Sequence, residues 1–293
     1  MPATPAPVTR RQFVAASAAA MGAAAWFERP GLGRLIREAA ENDPEYYGGL
    51  PIGIQSYTLR NFKVADAVRH IEGLGLRYVE MFGAHLSPTA SDEKLAETKK
   101  LLDKAKIRVN AHGVNAFSKD HEANRKLFAF AKRAGIRNLS ADPAPDSFDS
   151  LDRLCAEYDV RICIHNHGPG HRYDKLGDVQ KAVKDRHKHV GACIDTGHVL
   201  RSDEDPVKWA RELGPRVFAL HLKDVKERKA STFDVVIGTS HLDLVGLFKT
   251  LKTIKFPADG SLSLEYESNP ANPIDDVKQC LTAAREAIAK AAD

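Results

Sequence analysis

From residue 51 onward, short apolar runs alternate with longer amphipathic stretches. The runs at 52–59, 78–82, 108–114, 136–141, 161–165, 190–195, 217–221 and 261–266 have the length and composition of buried strands. Between them, 64–74, 92–105, 121–134, 148–158, 178–184, 205–213 and 242–251 place apolar residues at helical spacing, and 273–291 closes the chain in the same way. Gly75 and Gly135 stand just past two of these helices, where a left-handed cap is expected. Eight strands alternating with eight helices predict a parallel sheet with right-handed crossovers, and eight such units can close on themselves. The expected fold is therefore α/β, a single (β/α)8 TIM barrel over 51–293, and the 293-residue length suits the about 250 residues usual for that fold. No G-x-G-x-x-G or P-loop pattern follows the first strand, so an open nucleotide-binding sheet has no support. The longest interruption, 225–240, follows the seventh strand and is expected to form an active-site loop.

Ahead of this pattern the chain changes character. Thr9-Arg10-Arg11-Gln12-Phe13-Val14 precedes a small-residue, weakly apolar run from Ala15 to Trp26, which resembles a twin-arginine export signal. That run is shorter than the roughly 20 residues of a membrane span, and Ala23-Ala24-Ala25 offers an A-x-A-like cleavage site. Residues 1–25 are expected to be a signal peptide and 26–50 an irregular lead-in containing Pro44, Gly48 and Gly49. The mature protein would then be periplasmic or secreted, with no stable membrane anchor.

Composition adds limits. At 43% hydrophobic and 28% charged residues the chain can bury a sizeable core. The net charge of +4 is spread among mixed charges rather than massed in a stripe, which argues against a nucleic-acid partner. Cys155, Cys163, Cys193 and Cys280 show no C-x-x-C spacing, so buried free thiols are expected rather than a disulfide framework.

In a barrel of this type, polar side chains at the C-terminal strand ends share one mouth. The fifth strand ends Cys163-Ile164-His165-Asn166-His167, the sixth Cys193-Ile194-Asp195-Thr196-Gly197-His198, the seventh Leu220-His221-Leu222-Lys223-Asp224 and the eighth Leu264-Glu265-Tyr266-Glu267. Side chains alternate along a strand, so His165 and His167 share a face, as do His221 and Lys223, and Glu265 and Glu267. Two imidazoles and two carboxylates suit manganese, zinc, cobalt or iron, with oxygen-preferring magnesium less favoured. Each residue also has an ordinary structural use: Asp195 as a helix cap, His221 as a core histidine, Glu265 as an ion-pair partner of Lys223. Four ligand-type residues at four successive strand ends favour the metal.

At these motifs, from about Ile52 to the C-terminus, the chain resembles the sugar phosphate isomerase/epimerase group of xylose-isomerase-like barrels, which includes ketose 3-epimerases and inosose dehydratases. The resemblance implies one divalent ion, manganese first, held by His165, Asp195, His221 and Glu265. It also implies that His198 contacts substrate. Glu80 and His112 are expected at the same mouth. At position 165 the epimerases carry a glutamate that is both ligand and acid/base group, and the histidine here is more like the dehydratase branch.

The expected activity is metal-assisted removal of a proton α to a carbonyl on a sugar or polyol, of the isomerase/epimerase kind. Loss of a β-leaving group would instead make the protein a dehydratase or a lyase acting on a keto-sugar or 3-keto-glycoside. A non-catalytic sugar-binding barrel is the third reading. Glu265, His167, His198 and Lys223 are the candidate catalytic residues, with Lys223 placed to stabilise an enolate or alkoxide oxygen. Tyr57, Phe82, Phe117 and Tyr173 are aromatics of a kind that stack on sugars. The partner is a small sugar or glycoside, and a homo-oligomer stays open.

Overall fold

The computed structural model describes residues 47–292. The Arg10-Arg11 pair, the 23–25 tract and the lead-in as far as residue 46 lie outside the described residues.

Eight parallel strands close a barrel: β1 (Ile52–Gln55), β2 (Tyr78–Met81), β3 (Arg108–Phe117), β4 (Asn138–Pro143), β5 (Arg161–His165), β6 (Val190–Asp195), β7 (Val217–Leu222) and β8 (Ser261–Leu264). Each pairs with its sequence neighbours, and β1 closes the ring on β8 with Ile54 opposite Leu264. The helices that cross over are α1 (Val64–Gly73), α2 (Asp92–Lys104), α3 (His121–Ala134), α4 (Phe148–Tyr158), α5 (Leu176–Val183), α6 (Thr196–Arg201), α7 (Pro206–Leu213), α8 (Leu244–Thr253) and α9 (Ile274–Lys290). No described helix is long and apolar enough to cross a membrane.

Alternation divides the strand residues between two environments. Leu139, Ile162, Ile164, Ile194, Leu220, Leu222 and Leu262 are fully buried within the main apolar core. Burying a side chain of this size is worth about 1.5–3 kcal/mol, so this core is the main source of stability. Tyr47 and Leu50, ahead of β1, pack into it too. Cys163, Cys193, Phe218 and Ala219 form a separate buried cluster, and all four cysteines are free and buried.

Helix ends follow their local chemistry. Asp120 caps α3 by accepting from the Ala123 N–H at 3.0 Å, and Gly135 ends it at φ +72°, a conformation costly for any residue with a Cβ.

Three expectations change. The first strand stops at Gln55 because Ser56–Leu59 forms a 3-10 turn, with the Gln55 side chain accepting from the Tyr57 N–H. The connection from β6 to β7 holds two helices, since α6 starts directly after Asp195. The 225–240 interruption carries a two-residue antiparallel ladder, Asp224–Val225 with Asp234–Val235. Buried Asp224 ties it down, accepting from the Val225, Gly238, Ser240, His241 and Leu242 N–H groups at 2.9 to 3.2 Å.

Candidate metal centre at the barrel mouth

Each candidate ligand stands where a strand ends. His165 and Asp195 are the last residues of β5 and β6, His221 is next to last in β7, and Glu265 follows β8. Register brings them together: His165 pairs with Cys193, and Asp195 pairs with His221, which in turn neighbours Ser263. One ligand atom from each of the four lies within 4.8 Å of the others, and all four residues are buried.

The facing atoms can be named. His165 Nε2 stands 3.1 Å from His221 Nδ1 and 3.4 Å from Asp195 Oδ2, and Glu265 Oε2 stands 2.9 Å from His221 Nδ1. His221 Nε2 lies 3.0 Å from Glu80 Oε2, which also accepts from the Ser263 hydroxyl at 2.9 Å. A bound ion would take Nδ1 while Glu80 keeps a proton on Nε2, as carboxylates behind ligating histidines do. Without the ion, burial lowers the His221 pKa, but Cys193, Glu80 and Glu265 outweigh it and hold the value well above the ordinary one. Asp195 divides its work: Oδ1 caps α6 by accepting from the His198 N–H at 2.8 Å, while Oδ2 faces the cluster. That oxygen is buried without a hydrogen bond, although Lys223 and His165 lie within ion-pair distance. An unsatisfied buried carboxylate oxygen beside two imidazoles and a second carboxylate is the donor set of a divalent transition-metal site, and the residues fit such an ion.

Lys223 is the local counter-charge. Its Nζ lies 3.3 Å from Asp195 Oδ2 and 2.8 Å from Glu265 Oε2, and it contacts Glu267. Burial pushes the Asp195 carboxyl up, but Lys223 first, then His198 and His165, hold it well below its ordinary range. For Glu265 burial is likewise outweighed by Lys223 and His221, and its carboxyl is lowered. Burial disfavours the Lys223 cation, yet Asp195, Glu265 and Glu267 raise its pKa.

A cavity of about 460 Å³ opens above the cluster, lined in part by Gln55, Tyr57, Phe82, His167, His198 and Arg201. The His167 ring is 4.7 Å from that of His165 and 5.4 Å from that of His198. Burial lowers His167 to about 4 and His198 to about 3, so both rings are neutral at neutral pH.

The remaining expectations divide. Tyr57 and Phe82 line the mouth, while Phe117 packs on Phe128 in the core and the Tyr173 hydroxyl donates to the Pro143 carbonyl. His112 does not reach the mouth. A register shift between Val79 and Glu80 sets it opposite Met81 rather than on the Glu80 face, and it contacts Phe130 of α3 and bonds the Leu86 carbonyl. Glu80 lies beneath His221 rather than in the cavity. The 225–240 segment does not line the cavity but braces its wall, with Asp234 accepting from the Glu267 N–H at 2.9 Å and Thr232 accepting from Arg201. Sequence reasoning missed Asn166, which holds the Asp195 backbone by bonds of 2.8 and 3.1 Å. Its place between two strand-end histidines was the available signal.

Residues 141–287 match the family described as xylose isomerase-like TIM barrel. An inosose dehydratase of Clostridium botulinum (strain Eklund 17B / Type B) is 29% identical over 146 residues, 43% of this chain and 48% of that protein. The chain thus spans about half the length of the curated relatives it matches. An uncharacterized protein of Parabacteroides distasonis shares the fold at TM-score 0.63 and 29% identity, over 80% of this chain and 98% of its own. A D-allulose 3-epimerase of Methylomonas sp. superposes at TM-score 0.64 over 81% of this chain and 98% of its own, and at 18% identity that likeness is one of fold.

Proposed function

The chain belongs to the xylose isomerase-like TIM barrel family, and from that premise we propose that it is a divalent-metal-dependent enzyme removing a proton α to a carbonyl of a sugar or polyol. The observation that carries the reading is the convergence of His165, Asp195, His221 and Glu265 below an open cavity. A bound divalent ion, manganese being our first choice, supplies Lewis acidity toward a carbonyl and its neighbouring hydroxyl. The protein supplies the proton handling. Glu265, kept ionised by Lys223 and His221, is the base, and its basicity rises when a substrate oxygen draws Lys223 away. Lys223 then stabilises the developing oxyanion. Neutral His167 and His198 each offer one N–H and one lone pair to substrate hydroxyls, which suits them to pass the proton on.

Return of the proton gives an isomer or epimer; departure of a β-substituent gives elimination. Histidine rather than glutamate at position 165 favours elimination as the second reading, because an epimerase needs acid/base groups on both faces of the substrate. Inosose dehydratases among the relatives support it.

Elemental analysis of the wild type, Asp195→Ala and His221→Ala tests the site, and ketose and 3-keto-glycoside substrates test the chemistry. We expect about one ion per wild-type chain, little in the variants, and α-proton exchange in deuterated buffer. Stoichiometric metal in both variants would overturn the ligand assignment, and absence of exchange on every keto-sugar would leave a sugar-binding barrel. We also propose that the protein acts outside the cytoplasm; replacing Arg10 and Arg11 with Lys should retain it inside, and normal export of that variant would refute the assignment.

A further inference from the structure

Two cations line the cavity, and they are differently matched. Lys223 contacts three carboxylates, those of Asp195, Glu265 and Glu267. Arg201 forms no ion pair with any described carboxylate. Its Nη2 donates to the Thr232 carbonyl at 3.2 Å, and its Nε is buried with no acceptor.

Position explains why Arg201 reaches the cavity wall. Arg201 ends α6, the helix that Asp195 caps, and stands three residues after His198 on the same face. The turn after β5 packs against both side chains: a Cβ at Gly168 would stand at ordinary contact distance, 3.6 Å from His198 Nδ1 and 3.8 Å from both Cβ and Cδ of Arg201. The arginine stem therefore runs beside His198 along the cavity wall.

We propose that Arg201 determines specificity by recognising a carboxylate on the substrate, so that the site takes acidic keto-sugars of the uronate kind in preference to neutral ones. The proposal rests on the reading of the mouth as a sugar site. A sugar hydroxyl can accept one N–H bond, but only an anion also answers the charge that the protein leaves unmatched, and a planar carboxylate suits the guanidinium fork. Phosphate shares this anionic chemistry, so the test separates the two.

Binding of D-fructuronate, D-fructose and D-fructose 6-phosphate to the manganese-loaded full chain is measured by titration calorimetry and ligand-observed NMR. The first two probes differ only in a carboxylate replacing a hydroxymethyl group. A charge-assisted bond predicts that fructuronate binds roughly ten- to a hundredfold more tightly than fructose. Arg201→Met should abolish that ratio, read as fructuronate against fructose in the same variant so that any general loss of sugar binding cancels, and Arg201→Lys should keep part of it. Equal affinities in the wild type, or a preference that survives Arg201→Met, would overturn the proposal. Tighter binding of the phosphate than of the uronate, with the same dependence on Arg201, would overturn the carboxylate assignment. If none of the three sugars binds, the sugar-site reading itself has failed; if fructose binds without any acidic preference, only the role of Arg201 has.

Discussion

The two ends of this barrel each carry a cluster of charges, and the clusters are built on opposite terms. At the N-terminal end Asp259 accepts from Arg137 at 2.7 Å and from Arg161 at 2.8 Å, and Arg137 also reaches Asp159. Asp259 is 46% and Arg137 41% exposed, so water shares the solvation of the carboxylate, although Arg161 is only 12% exposed and the Nε of each arginine is buried without a hydrogen bond. At the C-terminal end Lys223, Asp195 and His221 are almost completely removed from water, and Asp195 keeps a buried oxygen without a hydrogen bond. Exposed, balanced pairs add little and cost little, whereas desolvated charges with an unmet acceptor cost stability. The first cluster is explained by the fold alone. The second has the donor set that could hold a divalent ion, and such an ion would meet its unmatched acceptor.

The sharpest way to break this comparison is to remove the buried cation. Lys223→Met would leave Asp195, Glu265 and Glu267 without their shared counter-charge. Stranding buried charge of this kind costs about 3–5 kcal/mol. Urea unfolding in the presence of a chelator should show that loss, and excess manganese should restore a large part of it by binding the folded state. If the chelated variant is as stable as the wild type, the mouth is not electrostatically strained and the contrast between the two ends disappears.

A smaller effect is expected one layer down. Glu80→Gln keeps the shape of the side chain but removes the carboxylate that orients His221 through its Nε2 at 3.0 Å. Loss of such a partner lowers metal affinity by about 10- to 100-fold. Competition titration against a chromogenic chelator measures it directly. An unchanged affinity would mean that His221 keeps its tautomer and orientation without help, and that the buried Glu80–Ser263 pairing is packing rather than support.

Most of the candidate metal centre is legible in the strand ends of the sequence. A strand's two-residue period and a barrel's common mouth turn four short motifs into one cluster, with no need for distances. The sequence also suggests Glu80 nearby, but alternation alone would put His112 on the same face, and the irregularity in the β2–β3 register that turns it against Phe130 has no signal in the sequence. Turns after strands were less legible. Ser56–Leu59 reads as a continuation of the first strand because its residues are apolar enough, and only the Gln55 side chain's bond to the Tyr57 N–H shows the turn. Arg201 and the bracing of 225–240 by Asp224 depend on contacts across long separations, for which one sequence carries no signal.

The smallest effect is expected at the other end of the barrel, where it checks the scale of the first. Burial would raise the Asp259 carboxyl, but hydrogen bonding and charge from Arg161, with Arg137 beside it, hold it below its ordinary value. A carboxylate depressed in the folded state stabilises the protein above its unfolded pKa of about 3.9, and that contribution is lost as pH falls through the lower folded value. Because the group is nearly half exposed, solvent screening limits its worth to under about 1 kcal/mol. Asp259→Asn should therefore lower stability slightly at pH 7. Its difference from the wild type should shrink in acid, where the wild-type carboxyl also becomes neutral, and in high salt, where the pairs are screened. Thermal unfolding across pH, with metal content measured in parallel, checks all three points. Metal content should not change, since no ligand or support residue is touched. A loss as large as that of Lys223→Met would show that water does not moderate this cluster, and the two ends of the barrel would then have to be explained in the same way.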